Sequence, residues 1–68
     1  MKEQNKPNWQ VIDDVMTHNK TITITDNLGD IISGKIEYSD IRALFIDTGG
    51  ERHEIVFLRD IVDYKVEE

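Results

Sequence analysis

Two hydrophobic periods divide the chain. From Trp9 to Thr17 the apolar residues Trp9, Ile12, Val15 and Met16 recur at helical spacing, with Gln10, Asp13, Asp14 and Thr17 on the other side. Asn8 precedes them, and its side-chain oxygen can accept a bond from an early free N–H. The spacing therefore predicts a helix over 9–17 that ends near His18-Asn19. A helix this short is marginal by itself in water, so its apolar face must pack on something, expected at one end of the β structure. Met1 to Asn8 is polar and unpatterned, and it reads as a flexible tail.

From Thr21 the period becomes two. Thr21, Thr23 and Thr25 alternate with Ile22 and Ile24, the mark of a half-buried strand rich in β-branched residues. Asp26-Asn27-Leu28-Gly29 reads as a tight turn, with Gly29 in the left-handed conformation that closes a type I turn plus bulge. A second strand follows from Asp30 to about Tyr38, with Ile32, Ile36 and Tyr38 on one face and Gly34 between them. A glycine inside a strand marks a sharp bend or a close backbone approach. Ser39-Asp40 turns the chain into a third strand, Ala43 to Asp47, and Gly49-Gly50 makes the next hairpin into Arg52 to Phe57. Leu58-Arg59-Asp60 is too short to reverse the chain as a hairpin, so Ile61 to Val66 is a fifth strand around a corner. The expected fold is mainly β, a five-stranded, strongly bent small barrel with an N-terminal helix, in one domain over residues 9–68.

These residues carry a family resemblance. Gly29, Gly34 five positions later and Asp40 six after that, followed by Leu44, Phe45 and Ile46, resemble the first motif of the Sm-like barrels, including the Hfq-like RNA chaperones. FLRDIVDY, Phe57 to Tyr64, resembles the short second Sm motif in length and in its central Ile61. It is also similar to the ending of YolD-like proteins, a small Gram-positive and phage-associated family with an Sm-like barrel. The resemblance spans Thr21 to Val66. It implies the SH3-like Sm barrel, strands four and five as edges, assembly into a ring and a phage or mobile-element setting. The chain departs from the RNA-binding pattern: Ile41 and Arg42 follow the aspartate where Hfq-like proteins include a stacking aromatic. Leu58 and Arg59 replace their adjacent lysine and histidine, and Leu44 replaces the asparagine of archaeal and eukaryotic Sm proteins. Losing an aromatic platform removes roughly 1–3 kcal/mol per stacked base.

Composition narrows the reading. A 68-residue chain buries only about 60% of the surface its unfolded form exposes, so small domains lean on disulfides, metal or association. There is no cysteine, which excludes disulfides and thiolate metal sites. The balance of 8 Lys+Arg against 14 Asp+Glu, net −6, argues against a general nucleic-acid binder, and no two cations are adjacent. No apolar run approaches a signal segment or a membrane span, so a cytoplasmic protein without a membrane partner is expected.

Candidate chemistry is sparse. His18 and His53 are the only histidines, and a zinc site at Arg52-His53-Glu54 would need Asp40 or another acid nearby. Asp13-Asp14 and Glu67-Glu68 point their side chains in different directions, and Ser33 and Ser39 lack a positioned base. No enzyme, metal or cofactor is expected. The candidate ligand residues are Arg42 and Arg59, able to grip phosphate, with Asp40 in the preceding loop and Tyr38 near a rim. The plainer account is that both arginines neutralise Asp40, Asp60 or Asp63. Trp9 is expected in the core beside Ile12 and Met16.

Strands two to five carry apolar residues on both faces, which a monomer with one solvated sheet face does not need. Val56, Phe45 and Ile31, with Arg52 and Asp63 to set register, are therefore the expected homo-oligomer interface. The expected function is a non-catalytic oligomeric module acting through protein–protein contacts. The alternatives are an Sm-like binder of RNA or single strands and a ring holding a small anionic nucleotide at subunit junctions.

Overall fold

The computed structural model describes residues 5–67. Helix α1 (Trp9–Thr17) is followed by β1 (Thr21–Asp26), β2 (Ile31–Ser39), β3 (Ala43–Gly49), β4 (Arg52–Phe57), a 3₁₀ turn at Leu58–Asp60 and β5 (Ile61–Glu67). All strand pairs are antiparallel, in the order β4-β3-β2-β1-β5. The expectation of a mainly β fold with one N-terminal helix is met in this coarse form, with β4 and β5 as the two edges.

The helix forms where its apolar spacing and cap place it. The Asn8 side chain accepts the Val11 N–H at 2.9 Å, and Ile12 and Val15 are buried in the core. Burying a Val or Ile side chain contributes about 1.5–3 kcal/mol, which offsets the weak intrinsic stability of a helix of this length. Trp9 and Met16 depart from expectation. Trp9 is 51% exposed and Met16 lies at the margin, so the buried stripe is narrower than the sequence implied. A short helix over a small sheet covers its middle turn best and leaves both ends in solvent.

Residues 1–4 of the expected tail lie outside the described residues. Residues 5–8 are tied down: the Asn5 N–H donates to the Val62 carbonyl at 2.9 Å, its side-chain amide donates to Asp63, and Pro7 is buried. The expectation of a loose segment fails at these residues because their partners lie on β5, far along the chain, where no local pattern reveals them.

Gly34 marks a close approach of two strands. Residues Ile31 to Gly34 of β2 pair with β1, whereas Lys35 to Ser39 pair with β3. The strand changes partners at the glycine. A Cβ built there would lie 2.2 Å from the Asp47 carbonyl oxygen, so the two backbones approach at a distance that no side chain allows. The turn before β2 also matches its sequence: Gly29 has φ +87°, its N–H donates to the Asp26 carbonyl, and the Asp26 carboxylate accepts from Leu28 and Asp30.

A second irregularity reassigns a face. Ile36 pairs with Ile46, but Tyr38 pairs with Phe45, so Glu37 is the extra residue of a bulge. Past a bulge the alternation is displaced. Ile36 therefore enters the core while Tyr38, expected on its face, is 59% exposed. The core itself is aliphatic: Ile12, Val15, Ile22, Ile24, Ile36, Leu44, Ile46, Val56 and Ile61, with no buried charged or polar residue among those described.

Candidate functional site

Three features stand on the surface that the fold leaves open, and β4 contributes to all of them. The first is an apolar row. Tyr38, Phe45 and Ile55 are successive cross-strand partners on β2, β3 and β4. The Tyr38 and Phe45 rings lie 5.4 Å apart at 55°, a tilted aromatic contact. Ile55 is 57% exposed, and Phe57 continues the same face of the edge strand.

Val56 requires a correction. It was expected to face a neighbouring copy, but it is 4% exposed and sits in the core opposite Leu44. With apolar residues at 55, 56 and 57 the sequence fixes two faces but not which one is inside. The pairing of Val56 with the buried Leu44 decides it. The remaining interface candidates scatter. Phe45 belongs to the row, Ile31 is exposed at the far end of β2, Arg52 opens edge strand β4, and Asp63 on edge strand β5 accepts from Asn5.

The second feature is a concavity of about 370 Å³ lined by Ile41, Arg42, Phe57, Leu58 and Arg59. Two hydrogen bonds build it. The Asp40 carboxylate accepts the Arg42 N–H at 2.8 Å, and the Leu58 N–H donates to the Arg42 carbonyl at 2.8 Å. The 40–42 loop is thereby clamped to the start of the 3₁₀ turn. Both candidate arginines thus line one hollow of a single chain. Arg59 lies over the Phe57 ring, 5.5 Å from its centroid, and its Nε is 3.7 Å from Asp60. That ion pair is exposed and long, so it contributes little. The Arg42 guanidinium has no hydrogen bond or ion pair among the described residues. Asp40 takes part in loop closure, and Tyr38 lies with the apolar row and outside the lining of this hollow. Ile41 and Leu58, the motif neighbours of these arginines, line the hollow with them, and Phe57 completes it. Phe57, at the end of β4, is the one aromatic side chain lining the hollow.

The third feature joins three strands on the same outer face. His53 on β4 is the cross-strand partner of Asp47 on β3, and its Nδ1 is hydrogen-bonded to the Glu37 carboxylate from the β2 bulge. That carboxylate, with a smaller contribution from Asp47, raises the His53 imidazole above its ordinary value of 6.5. The other histidine, His18, contacts Asp14 at 2.8 Å, and Lys20 Nζ lies 2.7 Å from the same carboxylate. Hydrogen bonding to Lys20 holds Asp14 below the ordinary 3.8. This second cluster closes the helix C-terminus.

No protein-family model matches the chain, and no curated protein or solved structure matches it either. No helix among the described residues is long and apolar enough to cross a membrane.

Proposed function

We propose that this chain is a non-catalytic, homo-oligomeric binding module of Sm-like architecture that acts through protein–protein contacts. The observation that carries the reading is the outward row of exposed Tyr38, half-buried Phe45 and exposed Ile55, continued by exposed Phe57 on an edge strand. Exposed aromatic and aliphatic side chains beside unpaired strand groups make a surface that gains from adding a strand and from losing contact with water. The occupant proposed is a second copy, its β5 set against β4. Arg52 on one edge and Asp63 on the other carry opposite charges, which favours that pairing over β4 against itself. Asn5 already bonds Val62, so the added strand would engage β5 beyond that point. The change of strand partner at Gly34 supports a sheet that curls into an Sm-like barrel, and the resemblance to YolD-like proteins supports a phage or mobile-element setting. Light scattering on the eluting protein tests the assembly: a multimer is expected, and a monomer at every accessible concentration overturns it.

A second reading rests on the shared hollow of Arg42 and Arg59. Two guanidiniums beside an aromatic ring fit the phosphate and base of a nucleotide, free or within single-stranded RNA, and bidentate arginine contacts suit phosphate oxygens. Binding of this kind weakens steeply with salt, whereas apolar docking changes little.

A further inference from the structure

We propose that Glu37, Asp47 and His53 form a site for one divalent ion of the zinc class on the outer face of the sheet. Their donor atoms, one from each residue, lie within 4.8 Å of one another. The three come from three adjacent strands whose register is set by the ladder, so the backbone is already in place. Asp47 and His53 face each other across β3 and β4, and Glu37, next to inward Ile36 on β2, reaches the same side to bond His53.

The donor set selects the ion. Calcium and magnesium prefer all-oxygen shells, while one imidazole with two carboxylates suits zinc and its neighbours. Zinc bonds of about 2.0–2.2 Å require the donors to draw closer than their present spread. Glu37 and His53 are exposed, so side-chain rotation can supply that movement. Asp47 is already oriented, because its carboxylate accepts the Gly49 N–H at 2.9 Å. A hydrogen-bonded ligand carboxylate is a common support for bound metal. Open solvent on the outer face leaves the fourth position to water.

Local electrostatics point the same way. Two carboxylates whose oxygens converge on one point favour a cation there. The metal would take the place of the proton between Glu37 and Nδ1. The Asp14–His18 pair offers no such vacancy, since the Lys20 ammonium already occupies the carboxylate at 2.7 Å. Lys35 is the cross-strand partner of Asp47 on β2 and is the cation that competes with the metal here.

The test is calorimetric titration of the full chain with zinc chloride near neutral pH, with calcium and magnesium chloride as comparators. One zinc per chain is expected, with no saturable heat from the other two. His53→Ala and Asp47→Asn should each weaken zinc binding by at least about tenfold, His18→Ala should leave it unchanged, and Lys35→Ala should strengthen it. Circular dichroism of each variant separates lost ligation from lost folding. Amide shifts on zinc addition should cluster at residues 35–37, 47–49 and 52–54. Absent saturable binding, or equal binding by the parent and His53→Ala, overturns the site. So does a loss with His18→Ala that matches the loss with His53→Ala.

Discussion

Replacing Gly34 by alanine adds one methyl group and should cost this domain a large part of its stability. The new Cβ would lie 2.2 Å from the Asp47 carbonyl oxygen and 2.9 Å from both the Asp47 carbonyl carbon and Ile46 Cγ2. Two of these neighbours are backbone, so rotamer change cannot relieve the contact. To reach even 3.0 Å from that oxygen, β2 and β3 must part by about 0.8 Å. A backbone bond of about 2.9 Å stretched by that amount passes beyond hydrogen-bonding distance. Two such bonds lost beside Gly34, at about 1 kcal/mol each, add to an overpacking cost of about 1–3 kcal/mol. Alanine recovers only about 0.4–1 kcal/mol by restricting the unfolded chain. The net loss is therefore roughly 3 kcal/mol, against a total of roughly 3–10 kcal/mol for a chain of this length. A fall in Tm of about 12 °C or more follows for a domain of this size. Thermal unfolding followed by circular dichroism measures it, with Ser33→Ala as the control on the exposed face of the same strand. Gly50→Ala should lie between the two, since its site is open but its φ is +60°. If Gly34→Ala melts with Ser33→Ala, the close approach of β2 to β3 is not what bends the sheet.

Three further predictions use the assigned faces and charges. Val56→Glu should unfold the chain, whereas Ile55→Asp should keep the parent far-ultraviolet spectrum and reduce the mass measured by light scattering. A folded Val56→Glu monomer would instead return Val56 to an interface. Arg42→Ala and Arg59→Ala should each weaken nucleotide or oligonucleotide binding by at least about tenfold without changing oligomer mass, as expected for lost charge-assisted bonds of roughly 1.5–3 kcal/mol. Unchanged affinity in both would leave the hollow without a phosphate role. The His53 ring should titrate above 6.5 by proton NMR, and Glu37→Gln should bring its midpoint down, because the Glu37 hydrogen bond is the main cause of the shift. A folded value above the unfolded one stabilises fully below pH 6.5 and ceases to stabilise as pH rises through the folded value. The Tm difference between parent and Glu37→Gln should thus be largest just below pH 6.5 and vanish well above it. A midpoint that Glu37→Gln leaves in place would remove this pairing.

The local pattern by itself determined most of the elements. Asn8 followed by Ile12 and Val15 specifies α1 because the cap and the 3.6-residue period agree. The threonine–isoleucine alternation specifies β1. Gly29 and the Gly49-Gly50 pair mark turns because positive φ is costly for other residues. Gly34 was legible as a bend or a close backbone approach; the structure shows the approach, and its partner, the Asp47 carbonyl, was not legible. What the tertiary structure alone decided is which side of each strand faces inward and which distant residues meet. A run such as Ile55-Val56-Phe57 is apolar throughout, so its inner residue is set by its partner Leu44. The bulge at Glu37 reversed the face of Tyr38, and no local residue pattern announced it. Arg42 and Arg59 were identifiable as charges, but their shared hollow depends on the Asp40 carboxylate holding the Arg42 N–H and on a backbone bond from Leu58 to Arg42. His53 lacked acids at metal spacing in sequence because Glu37 and Asp47 reach it across strands. Sequence spacing records neighbours along one element, while cross-strand neighbours are fixed by register, and register is a property of the assembled sheet.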